Sequence, residues 1–134
     1  MIICTVNNKL SQFGSQYSVG YQLNNKNLIQ STVLYFNSYR ELPPIIGAVS
    51  NKENQQDEYV RSFISWKSFQ KNFNSDLRVS YFNEGLNYTD SISSIFSETK
   101  VNTFLGQYRF NFKLLKKIEI ESSIQSSHSL VQSN

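Results

Sequence analysis

Alternation of apolar and polar residues with a period of two, sustained over unusually long stretches, is the feature that most limits what this chain can fold into. Successive side chains of a strand point to opposite sides of a sheet, so such alternation predicts strands with two unlike faces. In "SQYSVGYQL" the residues Tyr17, Val19, Tyr21 and Leu23 share one side, and Ser18, Gly20 and Gln22 take the other. Residues 28–40 place Ile29, Val33 and Tyr35 together, with Leu34 and Phe36 opposite. Residues 57–69 group Val60, Ile64 and Trp66 against Arg61 and Lys67, and 75–88 group Leu77, Val79 and Tyr81 against Asp76, Arg78, Ser80 and Glu84. Residues 98–112 set Phe104, Tyr108, Phe110 and Phe112 against Thr103, Gln107, Arg109 and Asn111. Residues 117–126 alternate Ile118, Ile120 and Ile124 with Glu119, Glu121, Ser123 and Gln125. The tail "SSHSLVQSN" shows no pattern. The reading is all-β: an antiparallel meander of about six long strands, at 15–23, 28–40, 57–69, 75–88, 98–112 and 117–126.

Length then separates two kinds of sheet. Soluble strands average ~5–6 residues, whereas a strand that crosses a bilayer at a tilt needs ~9–11. Segments this long predict part of a transmembrane β-barrel, with one side of each strand toward lipid and the other toward a watery lumen. The connections point the same way, alternating short (24–27), long (41–56), short (70–74), longer (89–96) and short (113–116). Outer-membrane barrels sort short periplasmic turns from long external loops in this manner. The expected lipid-facing residues are Tyr17, Val19, Tyr21, Val33, Tyr35, Ile64, Trp66, Val79, Tyr81, Phe104, Tyr108 and Phe110. Tyr17, Trp66, Phe69, Phe110 and Phe112 fall near the expected strand ends, where aromatic girdles sit. The expected lumen or ligand residues are Arg40, Gln56, Asp57, Glu58, Arg61, Arg78, Glu84, Tyr88 and Asp90. The two prolines, Pro43 and Pro44, read as a strand stop, because proline lacks the N–H that a ladder needs.

Composition excludes several chemistries. The chain has 134 residues, a net charge of +3, and basic residues dispersed along it, which gives no footprint for nucleic acid. A single cysteine, Cys4, and a single histidine, His128, leave no internal disulfide, no metal cluster and no nucleophile–base–orienter set. The Gln55-Gln56-Asp57-Glu58 run lacks the spacing of a calcium loop. The Asn87-Tyr88-Thr89 sequon is read as a chance match. The expectation is a protein that is no enzyme, with no cofactor and no metal. No stretch approaches the ~18 apolar residues of a membrane helix, and the start "MIICTVNNKL" lacks the form of a secretion signal.

The segments "YFNSYRELPP", "QQDEYVRSFISWK", "LRVSYFNEGLNYTD" and "LGQYRFNFK" together resemble the barrel of TonB-dependent outer-membrane receptors, in particular the cobalamin-receptor-like branch common in Bacteroidetes. The resemblance covers roughly residues 15–115. It rests on Arg40, Leu42, Pro43 and Pro44, then on Gln56, Asp57, Glu58 and Arg61, then on Tyr88, Thr89 and Asp90, in that order. It implies a fragment of a receptor of about 22 strands closed by a plug, in the bacterial outer membrane. Its partners would be outer-membrane lipid, the TonB energy-coupling system acting through a plug, and a small-molecule nutrient such as cobalamin or a metal chelate. Six strands fall short of the eight that close the smallest membrane barrels, so the expectation is one section of a larger wall, without plug or signal peptide, whose free edges favour oligomerisation. Two other readings stay open: a soluble β-barrel that binds a lipid or small apolar ligand, and a surface β-module with a structural or adhesive role.

Overall fold

A computed structural model describes residues 9–43, 53–115 and 118–134. It contains one sheet of six antiparallel strands in chain order: β1 (Leu10–Asn24), β2 (Asn27–Glu41), β3 (Glu53–Phe69), β4 (Phe73–Asp90), β5 (Ile95–Leu115) and β6 (Ile118–Ser133). Each strand pairs only with its neighbours in sequence, so β1 and β6 each keep one unpaired side among the described residues. The sheet is an open meander and is not closed on itself. Cys4 and Pro44 lie outside the described residues.

The strands are longer than the alternation predicts, running from 15 residues in β1 to 21 in β5. The patternless tail is strand: β6 continues through His128, which pairs with Phe104. Ladder hydrogen bonds impose the extended form there, because β5 offers a complete template of backbone donors and acceptors whatever the side chains. The span expected as a long loop, 89–96, is strand at both ends and leaves only a four-residue turn, 91–94. One long connection, 42–52, therefore carries the contrast of loop lengths, against connections of two residues at 25–26 and three at 70–72.

Local chemistry explains these turns. Between β1 and β2, Asn24 Oδ1 accepts from the Lys26 amide at 2.9 Å and from Asn27 Nδ2 at 3.0 Å. Between β4 and β5, Asp90 Oδ1 accepts from the amides of Ile92 at 2.9 Å and Ser93 at 3.3 Å, an Asx turn. Ser94 closes that turn with φ of 55°, in the left-handed region. The Ser93 hydroxyl first, then the Ile92 amide, holds the Asp90 carboxyl below its ordinary range, with burial opposing and the Ser93 amide adding to the drop. A lowered folded-state pKa stabilises the turn above the usual carboxylate range and ceases to do so as pH falls through the lowered value. Asp90→Ala is expected to speed amide exchange at Ile92 and Ser93 at neutral pH. Asp90→Asn keeps the acceptor oxygen and is expected to preserve protection while removing its loss in acid. Equal exchange in all three chains at pH 7 would show that Asp90 does not build the turn.

The sheet has no second layer among the described residues, and none of their hydrophobic side chains is fully buried. The buried side chains are small and polar: Thr32, Ser38, Ser65, Ser68, Ser80, together with Asp90. A sheet needs an apolar face packed on something else, because single layers do not cover enough surface to offset chain entropy. The architecture thus calls for a partner surface over its apolar face.

Candidate functional site

Reading the register across the ladders assigns every side chain to a face. Tyr17 pairs with Val33, Val33 with Ser62, Ser62 with Tyr81, Tyr81 with Phe104 and Phe104 with His128. The next row but one joins Tyr21, Ile29, Trp66, Leu77, Tyr108 and Ile124. Directly opposed residues point to the same side of the sheet. All twelve residues expected to face lipid (Tyr17, Val19, Tyr21, Val33, Tyr35, Ile64, Trp66, Val79, Tyr81, Phe104, Tyr108 and Phe110) fall on this one face. Val19 is 70% exposed, Ile64 and Val79 each 57% and Ile124 68%.

These side chains form a belt. In β2 it runs from Ile29 to Tyr35, in β3 from Val60 to Trp66, in β4 from Phe73 to Tyr81, in β5 from Phe104 to Phe112 and in β6 from Ile120 to Ile124. The face positions between them are filled by small residues such as Ser31, Ser62, Ser75, Gly106 and Ser122. Among the described residues no Asp, Glu, Lys or Arg of this face stands within the belt. The charges of this face, Glu41, Glu58, Glu98 and Lys100, all lie beyond it at the end that carries the 42–52 connection. Tyr39, Phe96 and Leu130 are the apolar outliers there.

The opposite face carries charge at the depth of the belt. Arg61, Asp76, Arg78, Glu84 and Arg109 are all on it. Arg61 Nη2 approaches Glu84 Oε1 at 2.5 Å, and its Nε donates to the same oxygen at 2.8 Å. The Arg61 guanidinium lies 4.4 Å from the Tyr59 ring centre and 5.7 Å from that of Phe82, and Tyr59 stacks on Phe36 at 4.9 Å. Arg78 lies 3.7 Å from Asp76 and 5.8 Å over Phe63. Arg40 approaches Asp57 at 3.8 Å. An open hollow of about 510 Å³ lies over Phe36, Tyr59, Arg61, Glu84 and Leu86. The aromatic rings are half-buried beneath the guanidinium groups, so this face combines cation–π packing with partly exposed ion pairs.

Of the nine expected lumen residues, Arg40, Asp57, Arg61, Arg78, Glu84, Tyr88 and Asp90 share this face. Gln56 and Glu58 do not; they point to the belt side, in step with Val60, and lie beyond its margin. The correction follows from the period of two, which cannot place neighbours such as Gln56 and Asp57 on one side. Glu58 instead accepts a hydrogen bond from the Tyr35 hydroxyl at 3.1 Å. Two girdle assignments also change. Phe69 points to the charged face, and Tyr17 sits mid-strand because β1 begins at Leu10. The structure brings Arg61 and Glu84 together, and Arg40 with Asp57, while Asp90 is taken up in its turn. Sequence reasoning missed Phe36, Tyr59, Phe63 and Phe82, which cushion the arginines. Their signal was present, since Tyr59 and Phe63 flank Arg61 at spacing two.

No metal-ligating group of three or more His, Cys, Asp or Glu occurs among the described residues, and no helix there is long and apolar enough to cross a membrane. No family model and no curated protein matches the chain.

Proposed function

We propose that this sheet is a section of the wall of a transmembrane β-barrel in a bacterial outer membrane, and that the barrel is a TonB-dependent receptor importing a small nutrient such as cobalamin or a metal chelate. The observation that supports the wall is the charge-free belt of exposed apolar side chains, backed at the same depth by arginines and carboxylates on the other face. Burying a Val, Leu, Ile or Phe side chain is worth about 1.5–3 kcal/mol, so covering a belt of more than a dozen outweighs every ion pair in the sheet. Acyl chains are a cover that needs no complementary surface. A soluble barrel would gather these side chains inward over a dry core and use short strands. The described residues instead have no buried apolar core and strands of at least 15 residues. The uptake role rests on the resemblance of the motifs around Arg40–Pro43, Gln56–Arg61 and Tyr88–Asp90, with the charged face as the lumenal side and a plug as the route to TonB.

Trp66, the only tryptophan, is a built-in reporter. It is 46% exposed on the belt's margin, with Nε1 donating to Asn27 Oδ1 at 3.2 Å. In phospholipid vesicles its emission is expected to shift blue and to be quenched by lipids brominated near the headgroup end of the acyl chain. A Phe63→Trp, Trp66→Phe chain, reporting from the other face, is expected to respond to aqueous iodide and not to bromolipid. Iodide quenching of Trp66 with no bromolipid quenching would refute the wall. Uptake is tested separately: disrupting the gene should slow growth on limiting cobalamin or chelated metal, and unchanged uptake of both removes the nutrient assignment.

A further inference from the structure

The two free edges of the sheet lack the features that keep an edge strand unpaired. Such strands are ordinarily short, or carry charges, proline or bulges that repel a further strand. Here β1 has 15 residues and β6 has 16. β1 contains no Asp, Glu, Lys or Arg, and β6 contains none after Glu121, whereas β3, β4 and β5 each hold several. Neither edge strand has a proline, and the register of β1 shifts only at its turn end, between Gln22 and Asn24.

The ladders show which backbone groups these edges offer. The Glu41 amide donates to the Lys9 carbonyl at 2.9 Å, one step beyond the Leu10–Arg40 pair. Odd-numbered residues of β1 therefore turn their N–H and C=O toward β2, and even-numbered ones such as Gln16, Ser18 and Gly20 turn theirs outward. At the other edge the Asn134 amide donates to the Glu98 carbonyl at 3.3 Å, in line with the Thr99–Ser133 pair. Even-numbered residues of β6 thus bond to β5, and Glu121, Ser123 and Gln125 face outward. At both edges the outward groups belong to residues of the charged face. β1 and β6 also run in opposite directions.

We propose that β6 of a second copy of this chain pairs antiparallel with β1, head to tail, with Ser18 opposite Ser123. This register sets Tyr17 opposite Ile124, Tyr21 opposite Ile120 and Leu23 opposite Ile118, so apolar meets apolar across the joint on the belt side. On the charged side it sets Gln16 opposite Gln125. A slip of two residues either way puts Tyr17 against Ser126 or Ser122, and a slip of one turns the belt of one copy onto the charged face of the other. Pairing β1 with β1, or β6 with β6, would turn one sheet end for end and leave the other edge raw. The β1–β6 joint keeps both faces and both ends in step and satisfies both edges with one contact, a heterologous interface that closes into a ring or extends. The proposal goes beyond the wall reading and does not depend on it, since the edges match whatever covers the apolar face.

Cross-linking between single-cysteine chains tests the register. All chains carry Cys4→Ser. Val19→Cys is mixed with Ser122→Cys, its proposed opposite in a pair without direct backbone bonds, where disulfides reach. A second mixture uses Ser126→Cys, about 13 Å farther along the strand. In phosphatidylcholine vesicles oxidised by copper phenanthroline, the first mixture is expected to give mixed dimers several-fold faster than the second, and faster than either chain gives dimers with itself. Equal rates, or a prevailing Val19→Cys dimer with itself, would overturn the joint. In the unsubstituted chain, exchange at the Ser18 and Gly20 amides should be free at a low chain-to-lipid ratio and slow as that ratio rises, while Val19 and Tyr21 stay constant. Where a cysteine chain fails to fold, this exchange decides, and no slowing overturns the proposal. Bromolipid quenching of Trp66 in the same vesicles separates the two readings. Quenching without the cross-link removes the joint and leaves the wall, and the cross-link without quenching does the opposite.

Discussion

If the sheet is a barrel wall, arginine in place of Ile64 or Val79 will destabilise it in phospholipid vesicles by about 2–4 kcal/mol per substitution, while arginine in place of Gln30 will cost under ~1 kcal/mol. Ile64 and Val79 are opposed on adjacent central strands, near the middle of the belt, and each is 57% exposed with no charged residue on its face at that depth. In a barrel wall a guanidinium there must either enter hydrocarbon or drag water and headgroups inward. Gln30 lies at almost the same depth on the other face, between Gly20 and Ser65. Gln30 is itself a half-buried polar side chain flanked by these small residues, so arginine there stays in a polar setting. The measurement is urea unfolding in vesicles, followed by the fluorescence of Trp66. The contrast between faces is the content of the prediction, since arginine on an ordinary wet sheet would cost little at any exposed site. Equal costs at Ile64, Val79 and Gln30 would mean that the two faces meet the same medium.

Proline separates interior strands from edge strands with an effect of similar size. In β4, which lies between β3 and β5, every backbone N–H donates into one ladder or the other. Val79→Pro and Ser80→Pro are therefore both expected to lose about 3 kcal/mol or more, through the missing donor and the ring's clash with the neighbouring strand. In β1 the alternate N–H groups point away from β2. Of the adjacent pair Ser18→Pro and Val19→Pro, one should remove a ladder bond and be as damaging as the β4 changes, and the other should be tolerated within about 1 kcal/mol. Amide I infrared spectra with urea titration read both. Severe loss at both β1 positions would show that the outer side of β1 is also paired, by another strand or a second copy, and the free edges are the natural place for that pairing.

Much of this arrangement was legible in the chain because a strand's side-chain period is a property of the backbone and needs no tertiary information. The order of the strands follows, except across the long 42–52 connection, from short connections, which leave antiparallel neighbours as the accessible pairing. Legibility failed where the side chains carry little contrast. The Ser-rich stretch of β6 shows no alternation, and only the template of β5 makes it extended. The 89–96 span looked like a loop because Thr, Asp and Ser favour turns. Asp90 does build one, but it needs only four residues, and the ladder takes the rest. Gln56 and Glu58 were grouped with Asp57 by chemistry, and geometry separates them.

That the chain is all-β, that its strands are long and two-faced, and which side chains share the apolar face are properties of the strands one at a time, because covalent geometry alternates side chains whatever surrounds them. How the strands stand against one another emerges only in the folded sheet: the apolar belt is uncovered, Arg61 meets Glu84 between aromatic rings, and the sheet of the described residues is open. Register is a relation between strands set by ladder pairing and turn geometry, and no single strand contains it.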